Sequence, residues 1–134
     1  MDCPDCESPT VVFAAGEYAD TLPGDGGYDE AAGVALCTRC LTLHPATEQP
    51  GDAPDFQRVS SAFPTSPAAA VPLALLVGLL GSLALYRAEI TDLFGAAERA
   101  GTDPLLALDQ LAADESVEAA VDLSGRRRQL EQLL

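Results

Sequence analysis

Apolar and polar positions change their rhythm twice along the 134-residue chain. Near the start they come in short β-branched or aromatic runs: Thr10-Val11-Val12-Phe13, Val34-Ala35-Leu36 and Leu41-Thr42-Leu43. Runs of that length read as short strands. Between the first two, residues 16–33 hold five glycines and five acids, which predicts a solvated loop. Those acids miss the alternating spacing of an EF-hand, so the loop is not read as a calcium site. Residues 45–67 then carry Pro45, Pro50, Pro54, Pro64 and Pro67. Proline at that density fixes φ and removes backbone donors, which predicts a linker or an extended wrap.

Beyond that point the period becomes helical. Leu73, Leu76, Leu79, Leu80, Leu83, Tyr86, Ile90, Leu93, Phe94 and Ala97 recur at helical spacing, behind a Thr65-Ser66-Pro67 start signal. This predicts one long apolar helix that Gly101 stops. Asp103 and Pro104 then cap and open a second helix, with Leu105, Leu106, Leu108 and Leu111 as its stripe. A last helical stretch is expected over 116–134, with a break at Ser124-Gly125. The fold class read from this pattern is α+β. A small N-terminal unit of short antiparallel strands (1–44) and a Pro-rich linker (45–67) precede a helical domain (68–134) built on a long apolar central helix.

The core of that helix, residues 68–86, is nineteen residues with one serine and no charge. By length it is a candidate membrane span, since about 20 apolar residues cross a bilayer. Pro72, Gly78, Gly81 and five alanines make it weakly lipophilic, and its apolar stripe continues past Arg87 into Ile90 and Leu93. The preferred reading is a buried helix that the later leucine stripes cover, with a single-span anchor as the alternative. No basic segment precedes an apolar one at the N-terminus, so no secretory signal is expected and the chain is read as cytoplasmic.

Charge narrows the partners. Acids number 21 against 7 bases, all arginine, for a net charge of −14. The excess is −9 over 1–67 and −5 over 68–134. Such a chain is a poor polyanion binder, which disfavours nucleic acid. Arg126-Arg127-Arg128 is the one basic cluster, and its preferred reading is surface pairing on a helix, for example Asp122 with Arg126. High acid content, abundant alanine and no lysine read as adaptation to molar salt, where the Debye length falls to about 3 Å.

Cysteine chemistry is the strongest signal. Cys3-Pro4-Asp5-Cys6 and Cys37-Thr38-Arg39-Cys40 form two CxxC pairs. Each pair can present two thiolates to one ion from a tight turn, and two such turns complete a tetrahedral sulfur shell. A unit of this size is too small to bury a self-sufficient core, which favours a structural zinc. A reducing compartment disfavours two disulfides. A redox-active pair would need a βαβ context that is absent. Iron is the less favoured metal, and His44, close behind Cys40, is read as a surface residue rather than a substitute ligand. No nucleophile–base pair or Gly-rich phosphate loop is present, so no enzyme activity is expected.

Those residues carry a resemblance. The N-terminal Cys-Pro-Asp-Cys, the later Cys-Thr-Arg-Cys, the acidity and the small size resemble the haloarchaeal small zinc-ribbon proteins of the CPxCG-related type. The resemblance implies a zinc ribbon with Cys3, Cys6, Cys37 and Cys40 as metal ligands. It also implies no known catalysis, and a regulatory or adaptor role in which the ribbon, with Arg39 at its second knuckle, meets a protein partner. Where that family places a glycine after the second cysteine of a pair, this chain has Glu7 and Leu41. Rubredoxin-like iron proteins resemble one another in that glycine and in an aromatic core, which this chain is expected to lack. The salt reading has a direct consequence. Far-ultraviolet circular dichroism is expected to show the chain fully folded in molar KCl and losing structure as the salt is removed, whereas full folding at low ionic strength contradicts it.

Overall fold

The computed structural model describes residues 1–134. Three antiparallel strands pair in chain order: β1 (Thr10–Phe13), β2 (Gly33–Cys37) and β3 (Leu43–Ala46). Thr10 stands opposite Cys37, and Leu36 opposite both Val11 and Leu43. The short antiparallel strands are therefore present, with β3 beginning at the last residue of the run that predicted it. Leu41 is displaced from the strand because it takes a positive φ of 61°.

The strands need a cover, and two later segments supply it. Val11, Phe13, Val34 and Leu36 join one apolar cluster of 25 buried residues that includes Phe56, Val59 and Phe63 as well as most of the helical core. The Pro-rich segment is thus a wrap: a 3₁₀ turn at Phe56–Arg58, capped by Asp55, turns Phe56 inward. Phe56 meets Phe13 edge-on at 5.2 Å and stacks on Phe63 at 5.8 Å. The expectation of no aromatic core is corrected here. Phe13 from β1 and Phe56 and Phe63 from the wrap assemble one, across a gap in the chain that no local pattern bridges.

Helix α1 (Pro67–Leu79) lies at the centre. Nine of its thirteen residues are buried, on all of its faces, so its neighbours surround it. Helix α2 (Arg87–Arg99) packs alongside and buries Ile90, Leu93, Phe94, Ala96 and Ala97. The expected long apolar helix is absent. The helical ladder passes into a 3₁₀ turn at Leu80–Ser82, and a further turn leads to Tyr86. Gly81 is a poor helix former at the break, and it also faces Val121 closely, where a Cβ would stand 3.1 Å away. The apolar period continues through the turn because both helices bury a face against the same core, so periodicity carries no sign of the break. No helix is long and apolar enough to cross a membrane.

Gly101, at φ 98°, ends α2, and Asp103 caps α3 (Pro104–Ala113) through the Leu106 N–H, as expected. Within α3, Ala107, Leu108 and Leu111 face inward while Leu106 is 53% exposed, one position off the expected stripe. The last helix, α4 (Leu123–Leu133), is capped by Asp122 and is shorter than expected. Residues 114–122 leave the helix through a turn at 115–116, after which the Glu118 and Ala120 N–H groups bond to Arg39 O and Cys40 O rather than to a helical carbonyl. The expected Asp122–Arg126 pair is not formed either. Asp122 accepts from the Gly125 N–H, and Arg127 pairs with Asp109 and Glu131.

Two helical glycines separate packing from propensity. A Cβ on Gly78 would sit 2.1 Å from Leu43 Cγ, so Gly78→Ala is expected to lower stability by roughly 1–3 kcal/mol through overpacking. A Cβ on Gly95 meets only the flexible end of Arg99, so Gly95→Ala is expected to raise stability by about 0.5–1 kcal/mol. Urea denaturation of the two variants checks the opposite signs.

Candidate metal centre

Two loops of the same design face each other across the β1–β2 end of the sheet. In residues 3–8 the Cys3 N–H donates to Ser8 O at 2.8 Å; in residues 37–42 the Cys37 N–H donates to Thr42 O at 3.0 Å. The Asp5 N–H points at Cys3 Sγ and the Arg39 N–H at Cys37 Sγ, each at 3.4 Å. Both loops then turn at the residue after their second cysteine, Glu7 at φ 63° and Leu41 at φ 61°. These are the two positions where glycine was expected. The left-handed turn forms without it, at a cost in backbone strain of roughly 1–2 kcal/mol each. The Thr38 N–H donates to Pro9 O at 3.0 Å and ties the second loop to the first, while an isolated Asp2–Pro9 bridge closes the first on itself.

This arrangement brings the four expected sulfurs together. Cys3 Sγ lies 3.7 Å from Cys40 Sγ, Cys6 Sγ lies 3.4 Å from Cys37 Sγ, and all four are within 4.8 Å of one another. None is in a disulfide. A tetrahedral shell with metal–sulfur bonds near 2.3 Å sets its sulfurs about 3.8 Å apart, so the four thiols fit one ion. Cys3 and Cys37 are buried, Cys40 is partly exposed and Cys6 is open to solvent.

The thiols differ in acidity because their surroundings differ. The Ser8 hydroxyl and N–H, aided by Cys37, bring Cys6 down to about 6. Burial pushes Cys37 up to about 12 and also raises Cys40. At Cys3 burial opposes ionisation, but the N–H groups of Cys6 and Asp5 and the Thr42 hydroxyl outweigh it, and the net shift is downward. A bound divalent cation deprotonates coordinating thiols outright, so loading this site releases protons and acid opposes it.

Two polar neighbours lie beside the sulfurs. Thr42 Oγ1 is 3.0 Å from Cys40 Sγ and 2.9 Å from His44 Nε2. His44 Nε2 is in turn 3.7 Å from Cys3 Sγ and 3.5 Å from Asp5 Oδ2. His44 is therefore not a free surface residue: its side chain is 18% exposed and stands against the cluster, and Cys3, Asp5 and His44 form a second possible ligand group that shares Cys3. Cys40, Thr42 and His44 fall on alternate residues, the one local signal for them in the sequence.

Fold and site together define a small α+β protein with a four-cysteine cluster that fits a zinc-ribbon-like site. The chain belongs to DUF6276, a family of unknown function, whose model matches residues 2–134. No curated protein and no solved structure matches it.

The strained turns are open to a simple test. Glu7 is exposed, so Glu7→Gly relieves its strain and is expected to raise stability by up to about 1 kcal/mol. Leu41 is buried, and Leu41→Gly is expected to destabilise, because the lost apolar packing exceeds the relief. Thermal melts of both variants check it.

Proposed function

We propose that the chain is a non-catalytic zinc-binding protein in which one structural Zn²⁺, held by Cys3, Cys6, Cys37 and Cys40, fixes an N-terminal ribbon as a protein-interaction or regulatory adaptor module. The observation that carries this reading is the convergence of four sulfurs on two loops of like geometry. All-sulfur donors suit zinc, and a site with four protein ligands leaves no open position for chemistry. Iron takes the same donors and is the second metal to exclude. The organisation proposed is a ribbon over 1–44, a wrap over 45–67 and a helical unit over 68–134.

The acidity, the absence of lysine and the resemblance to CPxCG-related zinc ribbons support a cytoplasmic protein of a salt-loving organism. The partner we propose is a protein. A nucleic-acid partner draws no support from the basic triplet, since Arg127 is already paired with Asp109 and Glu131. A membrane anchor through 68–86 draws none from helices of thirteen residues.

Metal analysis of the purified chain is expected to find one zinc per molecule. A strong chelator should then remove it with loss of the sheet's dichroism, because the metal's binding energy, on the order of 10–16 kcal/mol in small zinc domains, becomes folding energy. Cys3→Ser should weaken zinc retention. An iron-loaded protein, or a metal-free one that stays folded, overturns the reading.

A further inference from the structure

Residues 114–122, between α3 and α4, behave as an added strand on the second cysteine loop. The Glu118 N–H donates to Arg39 O at 2.8 Å and the Ala120 N–H to Cys40 O at 3.0 Å. The Glu118 carboxylate closes on the Arg39 guanidinium with contacts of 3.0 and 2.8 Å. Exposure alternates as in a strand: Val117, Ala119 and Val121 are half-buried against the core, while Glu118 and Ala120 are exposed. Both ends of the strap are fixed. At the start, Asp114 accepts from the Ser60 hydroxyl at 2.6 Å; at the finish, Asp122 caps α4.

Charge sharpens the picture. The strap walls a cleft of about 330 Å³, with Thr38, Arg39 and Arg58 on the loop side and Glu115, Ser116 and Glu118 on its own. With the strap lifted, the remaining lining holds two guanidiniums and no carboxylate, on a chain of net charge −14. Within the strap–loop contact itself, the ion pair is open to water, the two side chains being 52% and 66% exposed. A pair of that kind contributes little by itself, so an acidic segment of a partner can offer Arg39 the same contact.

We infer that this loop edge is a docking site for an extended acidic segment of a partner protein, and that residues 114–122 occupy it in cis. The inference rests on the adaptor reading above. The cis contact shows the recognition chemistry directly. Carbonyls of Arg39 and Cys40 take two N–H groups of an extended chain, Arg39 takes a carboxylate, and small apolar side chains fill the alternate positions. A partner segment with glutamate flanked on both sides by small apolar residues fits the same edge and displaces the strap.

The probe is a labelled nine-residue peptide of residues 114–122, titrated by fluorescence anisotropy against the full zinc-loaded chain, with zinc measured in the same sample. Glu118→Arg opposes Arg39 in cis and is expected to bind the peptide at least about fivefold more tightly than the parent chain. Ala120→Pro removes the donor to Cys40 and opens the edge by a second route, so it should behave likewise if the first variant folds poorly. A peptide N-methylated at Ala120 should lose binding to both. Equal affinity of the parent chain and both variants, or undiminished binding of the N-methylated peptide, overturns the inference. Either result with zinc in place leaves the metal reading standing, whereas absence of zinc sinks that reading instead.

Discussion

The register between β1 and β2 is the constraint on which the molecule turns. Thr10 opposite Cys37 sets the second cysteine loop beside the stretch from Ser8 to Pro9 that closes the first. Along β2, Val34 and Leu36 enter the core while Ala35 and Cys37 point the other way. A slip of one residue would exchange those faces, sending Leu36 toward the sulfurs and Cys37 into the core. Val34 and Leu36 lose burial in such a slip, so the apolar face and the sulfur cluster enforce the same alignment. Hydrophobic packing and the sulfur cluster thus favour the same strand pairing.

That packing extends well beyond the sheet. Strand residues, the phenylalanines of the wrap and the leucines of α1 belong to one cluster, and α1 is apolar on every side because it is enclosed by the others. Residues 1–44 alone would have little to cover Phe13 and Leu36. The acidic surface is a separate matter: charge of one sign governs solvation and association, while the apolar pattern beneath it governs which elements form.

Much of this was legible from residue order, for physical reasons that differ by element. The strand runs, the Asp103 and Gly101 helix signals and the four cysteines are local features, and local features survive into the structure. The long helix was misread because period reports burial, and burial continues through the turn after Ser82. The start of β3 was misplaced because Leu41 occupies a left-handed position that a leucine does not announce. His44 reads as a surface residue and Thr42 carries no signal of its own, since their place beside the sulfurs depends on where Cys3 arrives from across the sheet. Residues 116–122 read as helix by composition, but the Glu118 and Ala120 N–H groups are taken by the carbonyls of Arg39 and Cys40, some eighty positions away.

Gly78 joins the two halves in a way that gives the sulfur cluster a mechanical connection. Its missing side chain lets the backbone of α1 rest against Leu43, the first residue of β3, which stands between Thr42 and His44 in the chain. A shift of α1 by the width of a methyl group must therefore be felt at Leu43, which opens β3 between the two polar neighbours of the thiols. The close approach of Gly78 thus places the α1 backbone one side chain away from the pair that flanks the thiols, within a core that the sheet and the helices share.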